Sequence, residues 1–214
     1  MIDDAAAFLA QLARHPFATG AIAPSGPTLA RLVTVPIAGT GSPVVVELGP
    51  GTGAFTGAIQ RRLGGRGRHV AIELNRSFAE RLRGRFPGVE VVHGDAGKLG
   101  EVLAARGIGA ADAVVSGLPW AVFPPQRQDL ILRAVAATLA PYGALTTFAY
   151  RHGLWTPLAR RARRVMEACF EEVTLGRTVW ANLPPAVVYH CRRPVPADAR
   201  PSSAAGRPEL QRAR

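Results

Sequence analysis

Val44-Val45-Val46-Glu47-Leu48-Gly49-Pro50-Gly51-Thr52-Gly53 decides how this chain is read. The apolar run at its start is too short for a core helix and has the length of a strand buried on both faces. It breaks into three alternating glycines, after which residues 54–63 have helical periodicity. Glycine adopts left-handed dihedrals and lets a ligand touch backbone, and a helix N-terminus offers unpaired N–H groups to a carboxylate or phosphate. The segment is therefore a ligand-binding turn. Gly49-x-Gly51-x-x-Ala54 also satisfies a relaxed dinucleotide fingerprint, so a nicotinamide-dependent oxidoreductase stays open at this point.

Working outward, apolar runs alternate with helical segments. Val44 to Leu48, His69 to Glu73, Val89 to His93, Asp112 to Ser116 and Ala144 to Ala149 read as strands, with helices near 54–63, 76–85, 97–106, 126–139 and 156–169. That alternation predicts a parallel sheet covered by helices. Val173 to Trp180 and Ala186 to Cys191 are two further strand-like runs joined by the turn Asn182-Leu183-Pro184-Pro185, too short for a parallel crossover, so they should pair antiparallel. The expected fold is α/β: a Rossmann-like, doubly wound seven-stranded sheet, mostly parallel with an antiparallel C-terminal hairpin and helices on both faces.

At the N-terminus, residues 3–14 read as a helix with Asp3 and Asp4 at its start, Phe8, Leu9 and Leu12 at helical spacing and Pro16 as its stop. A small-residue loop over 19–26 leads to Pro27, which opens a second short helix carrying Leu29, Leu32 and Val33. The expected domains are an N-terminal cap over 1–36, a ligand-binding domain over 43–193 and a disordered basic tail over 194–214.

Two acids narrow the ligand. Glu73 ends the second strand 24 residues after Gly49, where a carboxylate in a doubly wound sheet accepts bonds from both ribose hydroxyls. Asp95, in His93-Gly94-Asp95-Ala96, follows the third strand. Either acid alone reads equally well as a helix cap or a surface charge. With the glycine turn they form one constellation at the carboxyl ends of adjacent strands, the ligand crevice of open α/β sheets.

Composition bounds the class. The chain has 214 residues, 48% of them hydrophobic and 19% charged, which excludes global disorder and coiled-coil or collagen-like designs. No apolar run has membrane-spanning length and the start lacks a signal-peptide pattern, giving an expected cytoplasmic location. Cys169 and Cys191 stand apart from each other and from paired histidines, so no metal site is expected and both read as reduced packing residues. The net charge is +11, which suits a polyanionic partner or membrane surface, although Lys98 is the only lysine and the arginine excess also fits a base-composition origin.

Glu47-Leu48-Gly49-Pro50-Gly51-Thr52-Gly53, then Glu73, then Gly94-Asp95-Ala96, resembles the class I S-adenosylmethionine-dependent methyltransferases. The antiparallel end resembles their added seventh strand. The resemblance implies that Glu47 belongs to the cofactor motif, that Gly49, Gly51 and Gly53 pass the methionine part, that Glu73 holds the ribose, and that Asp95 and Ala96 sit at the adenine. Ser116-Gly117-Leu118-Pro119-Trp120 then lies where the transferable methyl emerges. It resembles the Asn-Leu-Pro-aromatic motif of rRNA adenine dimethyltransferases, with Gly117 in place of the Asn. Closer still, Gly20-Ala21-Ile22-Ala23-Pro24-Ser25, the Ser116-Gly117-Leu118-Pro119 turn and Trp180-Ala181-Asn182-Leu183-Pro184-Pro185-Ala186 resemble bacterial phospholipid N-methyltransferases, over residues 8–193. That resemblance implies methylation of the phosphatidylethanolamine headgroup, with Ser116, Leu118, Pro119 and Trp120 forming the acceptor side and Ser116 also touching the cofactor.

Methyl transfer to a neutral amine requires alignment and water exclusion rather than a strong base. Trp120, Tyr150 and Trp155 are candidate cation-π faces for a methylated amine, with core packing as the other reading, and His15 and His152 are weaker candidate proton acceptors. At about 100° per residue, Arg160, Arg161, Arg163 and Arg164 share one arc of the 156–169 helix, opposite Leu158, Ala162, Val165, Met166 and Cys169. That arc is either a solvated face or, with Arg151 and the tail, a contact for anionic lipid. The N-terminal helix reads as a membrane anchor through Phe8, Leu9 and Leu12, or as a lid with Phe17, Ile22 and Pro24. Three alternatives remain: methylation of rRNA adenine or a soluble small molecule, a catalytically idle membrane-associated module, and nicotinamide chemistry. A monomer is expected.

Overall fold

The structure is a computed structural model that describes residues 25–196. The expected 3–14 helix, the lid residues, His15 and the tail beyond 196 lie outside the described residues. In chain order the elements are α1 (Pro27–Val33), β1 (Val44–Leu48), α2 (Ala54–Leu63), β2 (Arg68–Glu73), α3 (Arg76–Arg85), β3 (Glu90–His93), α4 (Leu99–Ala104), β4 (Ala111–Ser116), α5 (Pro125–Thr138), β5 (Leu139–Tyr150), α6 (Pro157–Cys169), β6 (Phe170–Leu175) and β7 (Ala186–Pro194).

The seven strands form one sheet in the order β3-β2-β1-β4-β5-β7-β6. The first five pair in parallel, with Val46 opposite both Val70 and Val114, and β7 runs antiparallel to β5 and β6. The chain leaves β1 toward β2 and later returns to β4 on its other side. β1 and β4 therefore flank the point where the winding reverses, and a crevice opens at their carboxyl ends.

Alternation within the strands feeds two cores. Val46, Leu48, Ile72, Val114 and Leu145 face α4, α5 and α6, whereas Val45, Ala113, Val115 and Val188 face α1 and α2. α1 packs into the second core: Leu29 and Val33 are fully buried, and Thr146 donates its hydroxyl proton to the Val33 carbonyl at 2.6 Å. Cys169 and Cys191 are buried in the first core and not disulfide-linked, and burial pushes the Cys191 thiol up to about 12.

Some boundaries differ from the sequence reading. β6 is Phe170–Leu175 rather than 173–180: α6 passes into it without a loop, and after an in-register bond from the Gly176 N–H to the Val188 carbonyl at 2.8 Å the regular ladder stops. Val179 keeps only an isolated bridge to Ala186, so the connection to β7 is longer than the expected four-residue turn. β5 starts at Leu139, directly after α5, with a register irregularity on β4 between Ala111 and Ala113. The helix expected over 97–106 is a 3-10 turn, Ala96–Lys98, followed by α4.

On α6 the arginine arc is divided. Arg160 and Arg164 are exposed, Arg161 folds back onto Asp129 of α5 at 2.6 Å, and Arg163 pairs with Glu167 at 2.8 Å. Ala159 is buried and Leu158 only half-buried.

Candidate cofactor and acceptor site

Three glycines stand one residue past β1, β3 and β4 and continue the parallel ladder. Gly49 donates to the Ile72 carbonyl at 3.0 Å, Gly94 to Glu73 at 2.9 Å and Gly117 to Leu48 at 2.8 Å. These bonds fix the relative heights of the turns that line the crevice. Gly49, Gly51 and Gly53 have φ of +66°, +54° and +86°, conformations that glycine alone adopts at little cost. A Cβ on Gly49 would lie 2.7 Å from Leu118 and one on Gly53 2.8 Å from Phe86, whereas one on Gly51 would enter open space. Gly49 and Gly53 are thus glycines for packing as well as for backbone shape. Gly51 leaves room for a ligand.

Glu73 lies across from that space. Its side chain folds over the turn, with Oε2 accepting from the Gly51 N–H at 2.9 Å and Oε1 from the Asn75 N–H at 2.8 Å. Burial pushes its carboxyl up, and the Asn75 and Gly51 N–H groups offset only part of that, so Glu73 titrates above the ordinary carboxylate range. A carboxylate has about four acceptor positions, and two on Glu73 remain, one per oxygen. That is the acceptor set for a vicinal diol. Glu47, in contrast, is fully enclosed: Oε2 accepts from the Thr56 hydroxyl at 2.8 Å and lies 3.2 Å from His69 Nε2. The Thr56 bond ties β1 to α2 beneath the turn, while Glu47 Oε1 is buried with no hydrogen-bond partner.

Asp95 caps the 3-10 turn, Oδ1 accepting from the Gly97 N–H at 2.7 Å, and both its oxygens bind the Arg127 guanidinium of α5. Burial pushes the Asp95 carboxyl up, but Arg127, the Gly97 N–H and Lys98 together hold it below the usual range. Most of its acceptor capacity is already used within the protein. The buried backbone at Ala96 completes this wall.

On the other side of the crevice, β4 ends at the fully buried Ser116, whose Oγ accepts from the Leu118 N–H at 3.3 Å. The Trp120 N–H bonds to the Leu118 carbonyl at 3.1 Å around the half-buried Pro119, which makes a tight turn. Trp120 is not a free aromatic face: it is 4% exposed, and Nε1 donates to Thr147 Oγ1 at 2.8 Å, which in turn donates to the Ser116 carbonyl at 3.0 Å. Gln128 Nε2 donates to the Trp120 carbonyl at 2.8 Å and to that of Leu158 at 3.0 Å. A Cβ at Gly117 would sit 2.7 Å from the Gly49 carbonyl oxygen, so the backbone as placed admits no side chain there. Tyr150 stacks on His152 at 5.9 Å, and Trp155 is not core packing but 76% exposed.

Residues 45–143 match a family model described as a methyltransferase domain. An ornithine lipid N-methyltransferase of Singulisphaera acidiphila is 38% identical over 188 residues, covering 86% of this chain and 94% of that protein. The chain belongs to the class I S-adenosylmethionine-dependent methyltransferases. A ribosomal RNA small subunit methyltransferase A of Cupriavidus metallidurans is 41% identical, but over 88 residues only, covering 38% of this methyltransferase and 28% of that protein. Among solved structures, Aeropyrum pernix fibrillarin with bound S-adenosyl-L-methionine superimposes with a TM-score of 0.58 at 14% identity, covering 76% of this chain and 73% of that one. NodS, an N-methyltransferase of Bradyrhizobium japonicum, does so with 0.56 at 15%, covering 78% and 94%. These two show the shared fold.

S-adenosylmethionine is the methyltransferase's cofactor. The open space at Gly51 and the two free acceptor positions of Glu73 fit its ribose, while the engagement of Asp95 by Arg127 was not foreseen. Arg127 occupies the first turn of α5, where a cation opposes the helix dipole, and that placement was the one available signal of a dedicated anionic partner. Thr147, Gln128 and Asn75 carried no comparable mark. Among the described residues no helix is long and apolar enough to cross a membrane.

Proposed function

We propose that this methyltransferase N-methylates the amine headgroup of a membrane lipid, an ornithine lipid in the first instance, with phosphatidylethanolamine as the second acceptor to be tried. The observation that carries the reading is similarity to an ornithine lipid N-methyltransferase along 94% of that protein's length, where the rRNA enzymes match over only 38% of this chain. Gly117 supports it: the Asn that resembles a base-orienting group in rRNA adenine dimethyltransferases has no room here.

S-adenosylmethionine supplies a sulfonium-activated methyl group. In this reading, the Gly49–Gly53 turn holds the amino-acid end of the cofactor, Glu73 accepts the ribose hydroxyls, and Asp95 and Ala96 border the adenine. Glu47, anchored through Thr56, belongs to the cofactor side, with its buried Oε1 left unpartnered by the protein. Ser116, Leu118 and Pro119 shape the passage to the methyl, and Trp120 is its wall, locked by Thr147 and Gln128. A neutral amine nitrogen aligned there takes the methyl with its lone pair, and the proton lost from the ammonium goes to solvent. No buried base is needed, because the site accelerates transfer by alignment and by excluding water. Residues 43–193 with α1 form the catalytic unit, and the protein works at the inner face of the membrane.

The test is transfer of labelled methyl from S-adenosylmethionine to vesicles containing ornithine lipid or phosphatidylethanolamine. Organic-phase label in N-methylated lipid is the expected result. Cofactor binding without lipid label, together with label in rRNA or a soluble amine, overturns the proposal.

A further inference from the structure

We propose that the turn Trp180-Ala181-Asn182-Leu183, with Trp155 beside it, is a wedge that docks the carboxyl edge of the sheet onto an anionic lipid surface; this rests on the amino-lipid reading above. Scattered exposed apolar residues are ordinary and carry no message. Here the distribution is uneven. Trp155, Trp180 and Leu183 are 76%, 69% and 66% exposed, and all three stand on one edge. Tyr150 pairs with Ala186 in the antiparallel β5–β7 ladder, so the segment entering β7 lies at the carboxyl end of β5. That is the edge of the Gly49–Gly53 turn, Glu73 and Ser116.

The turn exposes these residues without being slack. The Val179 N–H bonds to Ala186 at 2.7 Å, and Asn182, 3% exposed, accepts from the Gly26 N–H at 2.8 Å and donates to the Pro184 carbonyl at 2.7 Å. One buried amide thus pins the loop to the start of α1 while the residues two before it and one after it point to solvent. A prearranged apolar pair loses little conformational freedom on binding.

Charge specifies the partner. The Arg151 guanidinium lies 5.2 Å over the Trp180 ring, Arg177 is exposed on the same connection, and the chain carries +11. Tryptophan settles at headgroup level in bilayers, and arginine is drawn to anionic headgroups within a Debye length. An aromatic and a guanidinium presented together suit that interface. The arc on α6 suits it less, because Arg161 and Arg163 are already ion-paired. A bilayer seated on the wedge faces the crevice, so a headgroup amine reaches Trp120 without extraction of its lipid from the membrane.

Trp120, Trp155 and Trp180 are the chain's three tryptophans, and the buried Trp120 provides the baseline. The full chain is mixed with phosphatidylcholine–phosphatidylglycerol vesicles that contain brominated acyl chains and no amine acceptor. Trp155 and Trp180 emission should shift to the blue and be quenched, and Trp155→Phe/Trp180→Phe should abolish the change. Trp180→Ser/Leu183→Ser should lower vesicle partition by about tenfold or more while cofactor affinity is unchanged. Bound protein with both tryptophans unquenched overturns the wedge, as does absence of binding or a stable dimer that shields them. Methyl transfer to amino lipid in detergent micelles is read in parallel. The wedge variant should keep it in micelles and lose it in vesicles, and equal transfer by variant and wild type in vesicles refutes docking while sparing the function. Quenching with no transfer in either system refutes the function and leaves docking in place.

Discussion

Replacing Glu73 with Gln changes few atoms and tests the cofactor side directly. In the wild type, each carboxylate oxygen accepts one backbone N–H, from Asn75 at 2.8 Å and Gly51 at 2.9 Å, leaving one acceptor position per oxygen for a ribose hydroxyl. In Glu73→Gln the amide nitrogen cannot accept, so one hydroxyl bond disappears and the other loses its charge. A hydrogen bond to a charged group contributes about 1.5–3 kcal/mol, so cofactor Kd should rise roughly 10- to 150-fold. Isothermal titration calorimetry on the folded variant measures it. pH supplies an independent check. Because burial raises the Glu73 pKa, the folded protein binds more protons than the unfolded chain between the ordinary and the raised value, and the cofactor-free wild type loses stability as pH rises through that window. Cofactor binding, which needs the ionised acceptor, should strengthen over the same window. Glu73→Gln should show neither slope from this group. Affinity within twofold of wild type, or the same pH slope in both proteins, would refute the assignment.

Gly117→Ala should destabilise the fold by about 1–3 kcal/mol by driving a Cβ to 2.7 Å from the Gly49 carbonyl oxygen, as read by urea unfolding. Asp95→Asn should cost about 2–3 kcal/mol at neutral pH, less than a fully buried pair because the Arg127 and Asp95 side chains keep 18% and 12% exposure. The Asp95 pKa is depressed, so its contribution is present above the ordinary carboxylate range and is lost as pH falls through the lowered value; a stability profile of the variant should lack that part of the acid limb. Trp120→Phe removes the bond to Thr147 and should lower methyl transfer about ten- to a hundredfold at saturating cofactor, with cofactor Kd unchanged. Equal loss of both would place Trp120 in the cofactor site instead.

What could be read before any coordinates depended on range along the chain. The glycine turn, Glu73, Asp95 and the parallel strands are local patterns, in which a short apolar run, its terminal residue and the next helix lie within one segment. The pairing of Arg127 with Asp95 spans 32 residues and that of Gly26 with Asn182 spans 156, and no periodicity encodes either. The end of β6 differs because the strand-like Thr178-Val179-Trp180 has β propensity, yet past Gly176 only the isolated Val179–Ala186 bridge remains. Trp155 lies in the short connection before α6, where its exposure is decided by neighbours the sequence does not name.

Residues 127 and 128 are consecutive on the first turn of α5, yet Arg127 grips Asp95, the acid proposed to border the adenine, and Gln128 grips the Trp120 carbonyl in the proposed acceptor wall. On that proposal, one helical turn joins the two binding positions. If seating the cofactor moves that turn, the acceptor's affinity changes by some factor, and thermodynamic reciprocity requires the acceptor to change the cofactor's affinity by the same factor. Order of addition, product inhibition and the tightness of the spent cofactor would all then be set by two neighbouring side chains, neither of which touches the methyl group.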